Sequence, residues 1–255
     1  MDSNVTQTLA IRWSAEEIDV RTDLAAAYRL FAVLGWHELI YNHITAKIPG
    51  TEHFLINPFG LMYREVTASN LVKIDLEGAL VEDTPYSVNP AGFIVHAAVH
   101  RARADVGCVI HTHTTASLAV ACQAEGLLPL SFPAMFYTGR LAYHNFEGIT
   151  VDEEECGRLA SDLGQHDAMI LRNHGILACG QTIADAFAEI YHLQRACEVQ
   201  LAVQGSGAVV TTPPRAVALK AAEQHGRLAR LGTQNKLLWQ AMVRWMDDLD
   251  PKYRT

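Results

Sequence analysis

The stretch NPAGFIVHAAVHRARADVGCVIHTHTTASLAV, residues 89–120, decides the fold because it predicts a helix, a buried strand and a second helix in close succession. Asn89 and Pro90 are typical of a helix start, an N-cap followed by proline in the first turn. The apolar run VGCVI indicates a strand that ends in two histidines, and Thr114 or Thr115 can cap the next helix. Helices and short strands are therefore expected to alternate in an α/β protein.

The same alternation continues on both sides of this stretch. Ser14 and Glu17 resemble a capping box, and Gly35 ends the helix that they begin. The other predicted elements are strands at 39–48 and 53–58, a hairpin at 71–83, a helix that opens with the acidic residues 152–155, a hairpin at 167–180, a helix from Thr182 to Gln204 and a mostly helical segment at 215–251. We expect one domain over residues 1–255, in which 206–255 form a C-terminal helical extension.

Composition excludes two classes of partner. The 255-residue chain has a formal charge of -8 with only 20 Lys and Arg, whereas a nucleic-acid surface needs clustered positive charge. The N-terminus lacks a basic segment followed by an apolar one, and apolar runs are too short to cross a bilayer. We therefore predict a cytoplasmic protein that binds neither nucleic acid nor membrane.

The two histidines of the HTH sequence indicate a metal site or a hydrogen-bonded pair. Side chains alternate along a strand, so His111 and His113 point to the same face and their rings can converge on one ion. His174, at the predicted turn of a hairpin, is the natural third ligand, and three protein ligands with an open position are typical of a catalytic metal. The alternative is that both histidines form hydrogen bonds in a polar core.

Two other architectures that use an HxH pair do not fit. Barrel hydrolases need most of their eight strand–helix units after the pair, but the chain after His113 is short and chiefly helical. Double-sheet barrels consist almost entirely of strands, which the helical segments 182–204 and 215–248 contradict.

Three segments together resemble the class II aldolase/adducin family: the opening stretch, FYTGRLAYHNFEG and AMILRNHGILACGQTIADAFAEIYHLQRAC. The resemblance extends from about Ala15 to Gln204. It implies a three-layer α/β/α sandwich around a largely antiparallel sheet, usually a cyclic tetramer with active sites between subunits. It also implies that His111, His113 and His174 bind one divalent metal per subunit. Zinc is our first choice, with manganese, iron or cobalt as alternatives.

The chain departs from the sugar-phosphate aldolases of that family. Those enzymes carry an acidic base just before the helix that here begins at Pro90, but no carboxylate stands at residues 89–92. Parts of their phosphate pocket remain, so the expected substrate-binding residues are Asn42, Asn57 and Gly60, with Asn89 at the helix start. Bulky replacements stand nearby at Tyr41, His43, Phe59 and Val88. They favour an aromatic or carbonyl acid over a phosphate, unless they are plain core residues.

The predicted chemistry follows from the metal. Neutral imidazoles leave the ion its double charge, so it can stabilise the enolate that forms when a carbon–carbon bond breaks. Loss of the usual acid favours decarboxylation over retro-aldol cleavage, which also needs a base. The candidate catalytic residues are Tyr137, which the resemblance places across a subunit interface, and His43. His96 and His100 share a helix face and are predicted to be core or interface residues.

Three functions remain open: a metal-dependent lyase, which we favour, an iron-dependent oxygenase that shortens aromatic keto acids, and an adducin-like binding module without catalysis. We expect a homo-oligomer, a tetramer, that acts on a small molecule in aromatic compound metabolism. The C-terminal segment adds to this expectation, because its large apolar side chains need a partner surface. They are Leu237, Leu238, Trp239, Met242 and Trp245.

Overall fold

The computed structural model describes residues 12–148 and 153–255, and its centre is a seven-stranded sheet. The strands are β1 His43–Lys47, β2 Phe54–Ile56, β3 Val72–Ile74, β4 Cys108–Thr112, β5 Leu141–His144, β6 Ala168–Leu171 and β7 Gly175–Gly180. Their order in the sheet is β3-β2-β1-β4-β7-β6-β5. Every neighbouring pair is antiparallel except β5 and β6, so the predicted, largely antiparallel sheet is confirmed.

Helices surround the sheet. They are α1 Ala15–Leu34, α2 Pro90–Ala102, α3 Thr115–Ala121, α4 Phe132–Met135, α5 Glu153–Leu163, α6 Ile183–Gly205, α7 Arg215–Ala229 and α8 Thr233–Leu249, with 3-10 turns at Tyr63–Glu65 and Pro251–Arg254. Within the described ranges, no helix is both long and apolar enough to cross a membrane.

The pleat of the central strands separates two hydrophobic layers. Ile110 of β4 and Ala178 of β7 join a cluster with residues of α1 and α6, whereas Val109 and Leu177 join a second cluster with residues of α2 and α5. Because neighbouring strand residues face opposite sides, helices cover both faces of the sheet. The predicted three-layer α/β/α sandwich is therefore confirmed.

Side-chain caps fix most of the predicted helix starts. The Ser14 hydroxyl accepts from the Glu17 N–H, Thr114 from Ser117 and Thr182 from Asp185. The exception is Asn89. Helix α2 begins at Pro90 with Asn89 at the N-cap position, as predicted, but the Asn89 side chain makes no capping hydrogen bond. Proline at the first position has no N–H of its own to satisfy. Asp152, predicted in the acidic start of α5, lies outside the described residues.

The C-terminal helices pack on the chain's own core. Helix α8 contacts α1 and α6, and Trp239 is buried in the first cluster, with Leu238 and Met242 packed against it. Only Leu237, 60% exposed, and Trp245, 38% exposed, remain of the apolar surface predicted to need a partner. That prediction is wrong for most of the surface because the partner is this chain's own helical layer.

Candidate metal centre

Strand order brings the HTH and NHG sequences together. Strands β4 and β7 are antiparallel neighbours, with Thr112 opposite Ile176, so the end of β4 lies beside the start of β7. His111 and His113 are at that end of β4, and His174 is in the turn that leads into β7. His174, which is distant in sequence from His111 and His113, thus meets them at one edge of the layer formed by α2 and α5.

The turn that carries His174 depends on unusual backbone conformations. Asn173 has φ 58° and Gly175 has φ 154°, and asparagine is one of the few non-glycine residues that tolerates positive φ. A Cβ atom at Gly175 would lie 2.4 Å from the carbonyl oxygen of Thr112 and 3.0 Å from Cδ2 of His113. Only glycine therefore lets the turn approach β4 closely enough for His174 to reach the pair.

The ring nitrogens of the three histidines converge. Nε2 of His111 lies 2.6 Å from Nε2 of His113 and 3.3 Å from Nε2 of His174, and the candidate ligand atoms all lie within 4.8 Å of one another. Zinc–nitrogen bonds of roughly 2.0–2.1 Å in a tetrahedral site place ligand nitrogens about 3.3 Å apart. The His111–His174 separation matches this value, and a single divalent ion would hold the His111 and His113 nitrogens farther apart than 2.6 Å.

Hydrogen bonding and burial leave these nitrogens as electron-pair donors. His111 Nδ1 lies 2.9 Å from the Ile176 carbonyl oxygen, which can only accept, so the proton is on Nδ1 and Nε2 is bare. Burial lowers the pKa of His113, and burial with the neighbouring His113 and His144 rings lowers the pKa of His174 to about 4. A neutral imidazole can carry its proton on either nitrogen, so His113 and His174 can each turn a lone pair towards an ion beside the bare Nε2 of His111, and the residues fit a metal.

His43 is the predicted catalytic residue that lies nearest to this group. It is directly opposite His111 in the β1–β4 ladder, and the two ring centroids are 5.9 Å apart. A Cβ atom at Gly92 would lie 2.3 Å from Cδ2 and 2.6 Å from Nε2 of His43. The His43 ring thus fills the space in which any side chain at residue 92 would begin.

The structure does not bring Tyr137 to the three histidines. Its ring is in the cluster with α1 and α6, on the opposite side of the sheet, and is 4% exposed. Its hydroxyl donates a 2.7 Å hydrogen bond to the carbonyl oxygen of Glu189. These contacts give Tyr137 a role in packing α6, and its predicted catalytic role has no support in them.

The predicted substrate-binding residues are in different surroundings. Asn42 lies beside the site, since its Nδ2 donates to the carbonyl oxygen of His111 at 3.4 Å, and its buried Oδ1 has no partner among the described residues. Asn57 has a structural role instead, because its Oδ1 accepts a hydrogen bond from the buried Tyr28 hydroxyl at 2.9 Å. Gly60 is in a turn with φ 95° and open space around it, and Asn89 is half-buried at the start of α2.

Sequence reasoning missed a hydrogen-bonded group next to His43. His96 and His100 are buried, as predicted for core residues, but they also bond to His43 and Thr45. A signal was available: His43 and Thr45 alternate on one strand face, while His96 and His100 are one turn apart on a helix. The sequence did not show that the two faces pack together.

Comparison with known proteins gives consistent results. The model of the family described as "Class II Aldolase and Adducin N-terminal domain" matches residues 22–201. A Pseudomonas aeruginosa protein named "Putative aldolase class 2 protein" is 50% identical over 243 residues, 94% of each chain. Alpha-adducin of Rattus norvegicus is 41% identical over 261 residues, which cover 96% of this chain and 35% of that protein. The structure of L-fuculose 1-phosphate aldolase from Glaciozyma antarctica is 30% identical and covers 94% of each chain with a TM-score of 0.82.

Proposed function

The chain belongs to the class II aldolase and adducin family, and on this premise we propose that it is a divalent-metal-dependent lyase that breaks a carbon–carbon bond in a small carbonyl acid. The observation that carries the proposal is the convergence of three neutral imidazoles, two of them half-buried, at the end of β4. Three protein ligands leave a position at which a substrate can bind. Decarboxylation and retro-aldol cleavage both suit such a site.

Zinc is the ion we propose first, because three imidazoles in a tetrahedral arrangement suit it, with manganese, iron and cobalt as alternatives. When bound, the ion would supply stabilisation for the negative charge that develops on the substrate as the bond breaks. His111, His113 and His174 would hold it. The buried amide oxygen of Asn42, beside His111, has no hydrogen-bond partner among the described residues, which suits a hydrogen bond to the substrate.

His43 is the group that we propose to hold or move a proton. Its Nε2 edge faces Gly92, where the chain has no carboxylate. A carboxylate could not be added at residue 92 without moving the imidazole, so His43 and an acid at that position exclude each other. His43 therefore replaces that acid in the proposed reaction.

The surroundings favour an aromatic or apolar substrate. The Phe146 ring is 53% exposed and its centroid is 5.9 Å from that of His174, so it offers an apolar wall beside the metal ligands. The cavity next to His174 within one chain holds only about 10 Å³. A substrate pocket of ordinary size needs further walls, which supports the proposal of a homo-oligomer, a tetramer, with sites between subunits.

Metal analysis combined with a substrate screen tests the proposal. The protein is purified without added metal, its metal content is measured, and aromatic hydroxy and keto acids are offered to the zinc-, manganese-, cobalt- and iron-loaded forms. Release of carbon dioxide or an aldehyde without oxygen is the expected result. Turnover that needs iron and oxygen would instead indicate an oxygenase. Failure to retain any metal would indicate a binding module, the role that similarity to alpha-adducin raises.

A further inference from the structure

A buried row of hydrogen bonds connects β1 with α2. His43 Nδ1 lies 2.8 Å from His96 Nε2, and His96 Nδ1 lies 2.8 Å from the Thr45 hydroxyl. The same hydroxyl lies 2.9 Å from His100 Nε2. The four side chains are at most 7% exposed. We call His43, His96, Thr45 and His100 the histidine relay.

One end of the relay reaches the candidate metal centre. His43 is opposite His111 in the sheet, and its Nε2 edge is turned towards Gly92 in the first turn of α2. The other end, His100, lies at the C-terminal part of α2, away from the three ligand histidines. The hydrogen bonds thus connect His100 to the site through Thr45, His96 and His43.

Neutral rings make the relay directional. Burial lowers the pKa of His96 well below its ordinary value and that of His100 to about 3, so each ring carries one proton near neutral pH. A neutral imidazole has one donor and one acceptor nitrogen, and a hydroxyl has one proton to give. His43 must therefore donate to His96 and His96 to Thr45, or Thr45 must donate to His96 and His96 to His43. The Thr45 hydroxyl has two lone pairs, so in the first case it can either donate to His100 or accept from it as well.

The position of His43 favours the direction from His43 towards Thr45. Its Nε2 edge is turned towards Gly92 in the first turn of a helix, whose positive dipole end favours a bare acceptor nitrogen over an N–H group. This places the His43 proton on Nδ1. At the other end, Nδ1 of His100 has no hydrogen-bond partner among the described residues, so that ring opposes neither direction.

We propose that Thr45, His96 and His100 are positioning residues that hold His43 in its Nδ1–H form, so that Nε2 accepts a hydrogen bond from a hydroxyl group of the substrate. This inference rests on the proposed lyase function and narrows it to carbonyl acids that carry a hydroxyl group, the substrates of retro-aldol cleavage. The three residues act through His43 and do not touch the substrate, as groups that orient a functional histidine commonly do.

Solid-state nitrogen NMR of the zinc-loaded, ¹⁵N-histidine-labelled protein tests the inference without a substrate. The His43 resonances are identified by their loss in His43→Gln. We expect a single Nδ1–H form in the wild type, and loss of that single form in Thr45→Val with zinc content unchanged. Thr45→Ser keeps the hydroxyl and should restore the wild-type signal. Thr138→Val is the control, because the Thr138 hydroxyl is buried but has no hydrogen-bond partner among the described residues.

Either of two results would overturn the inference: a wild-type His43 with its proton on Nε2, or a Thr45→Val protein whose His43 signal is unchanged. If Thr45→Val does not fold, His100→Gln at the far end of the relay provides the same test, and an unchanged His43 signal there has the same meaning. Absence of turnover in the zinc-loaded protein would instead overturn the proposed function, and it leaves the NMR result unaffected because that experiment contains no substrate.

Discussion

The imidazole of His43 occupies the space that a Cβ atom at Gly92 would need, with only 2.3 Å between that position and Cδ2 of the ring. Gly92→Ala should therefore push the ring away from His96 and destabilise the fold by roughly 1–3 kcal/mol through overpacking. Thermal unfolding and zinc content measure this effect. Gly157→Ala is the matched control, because this helical glycine has open space around it and the change should stabilise by about 0.5–1 kcal/mol. Equal stability of the two variants would contradict the packing of His43 against Gly92.

His174→Ala should empty the metal site while leaving the fold intact. His174 is in a turn and only partly buried, so its loss removes a ligand without opening a cavity in the core. Mass-spectrometric metal analysis should show little bound ion, and circular dichroism should match the metal-free wild type. His166→Ala, a change at a half-buried histidine outside the group of three, should retain the metal. Full occupancy in His174→Ala would end the ligand assignment.

Acid should destabilise the protein through its buried histidines. Burial lowers the pKa of His43 and of His100 to about 3, whereas an unfolded histidine has a pKa of about 6.5. Unfolding therefore takes up protons below pH 6.5. The contribution of these histidines to the free energy of unfolding has its maximum above that pH and falls as pH decreases towards about 3. Each such histidine contributes up to about 1.4 kcal/mol per pH unit. Urea unfolding at several pH values gives the free energy of unfolding as a function of pH. This dependence should be shallower in His100→Gln than in the wild type, and an identical dependence would be inconsistent with a neutral, buried His100.

Tyr137→Phe should cost stability and leave metal binding unchanged. The hydroxyl donates to the Glu189 carbonyl oxygen inside the α6 layer, and loss of one buried hydrogen bond costs about 0.5–1.5 kcal/mol. Denaturant unfolding and metal content are the measurements. Tyr41→Phe, at a 54% exposed position, is the control and should be close to neutral. Loss of turnover in Tyr137→Phe at wild-type stability would restore the catalytic role predicted from the sequence.

Sedimentation at micromolar concentration should show a homotetramer. Deleting residues 236–255 would not test this, because Trp239 and Met246 belong to the chain's own core. Trp245→Glu is a better change, since the side chain is 38% exposed and a charge there weakens an interface without disturbing that core. We expect a smaller species for Trp245→Glu if the exposed part of α8 contacts another subunit. A monomeric wild type would count against the oligomer.

The shared direction of His111 and His113 was predictable because a strand has a strict period of two. His111 and His113 had to share a face once the run before them was assigned to β4. The approach of His174 depends on the pairing of β7 with β4, which the hairpin of β6 and β7 does not dictate. The relation between His43 and Gly92 was not predictable in this way. It depends on how closely α2 packs on β1, and side-chain periodicity within each element carries no information about the distance between them.

The direction of the Tyr137 side chain was equally unpredictable from the sequence. Its position after a short helical turn fits either a surface role or a core role, and only the packing of α6 shows that the hydroxyl is enclosed. The apolar residues of α8 show the same limit. An amphipathic helix must bury its apolar face, but the sequence does not state whether the covering surface belongs to the same chain or to another.

Both outer strands of the sheet are short, and this limits how copies of the chain can aggregate. β3 has three residues and β5 has four, so each outer edge offers few free backbone N–H and C=O groups to a strand from another molecule. Short edges are a common protection against fibril-like extension of a sheet. Association between copies is thus directed to side-chain contacts between helices and loops.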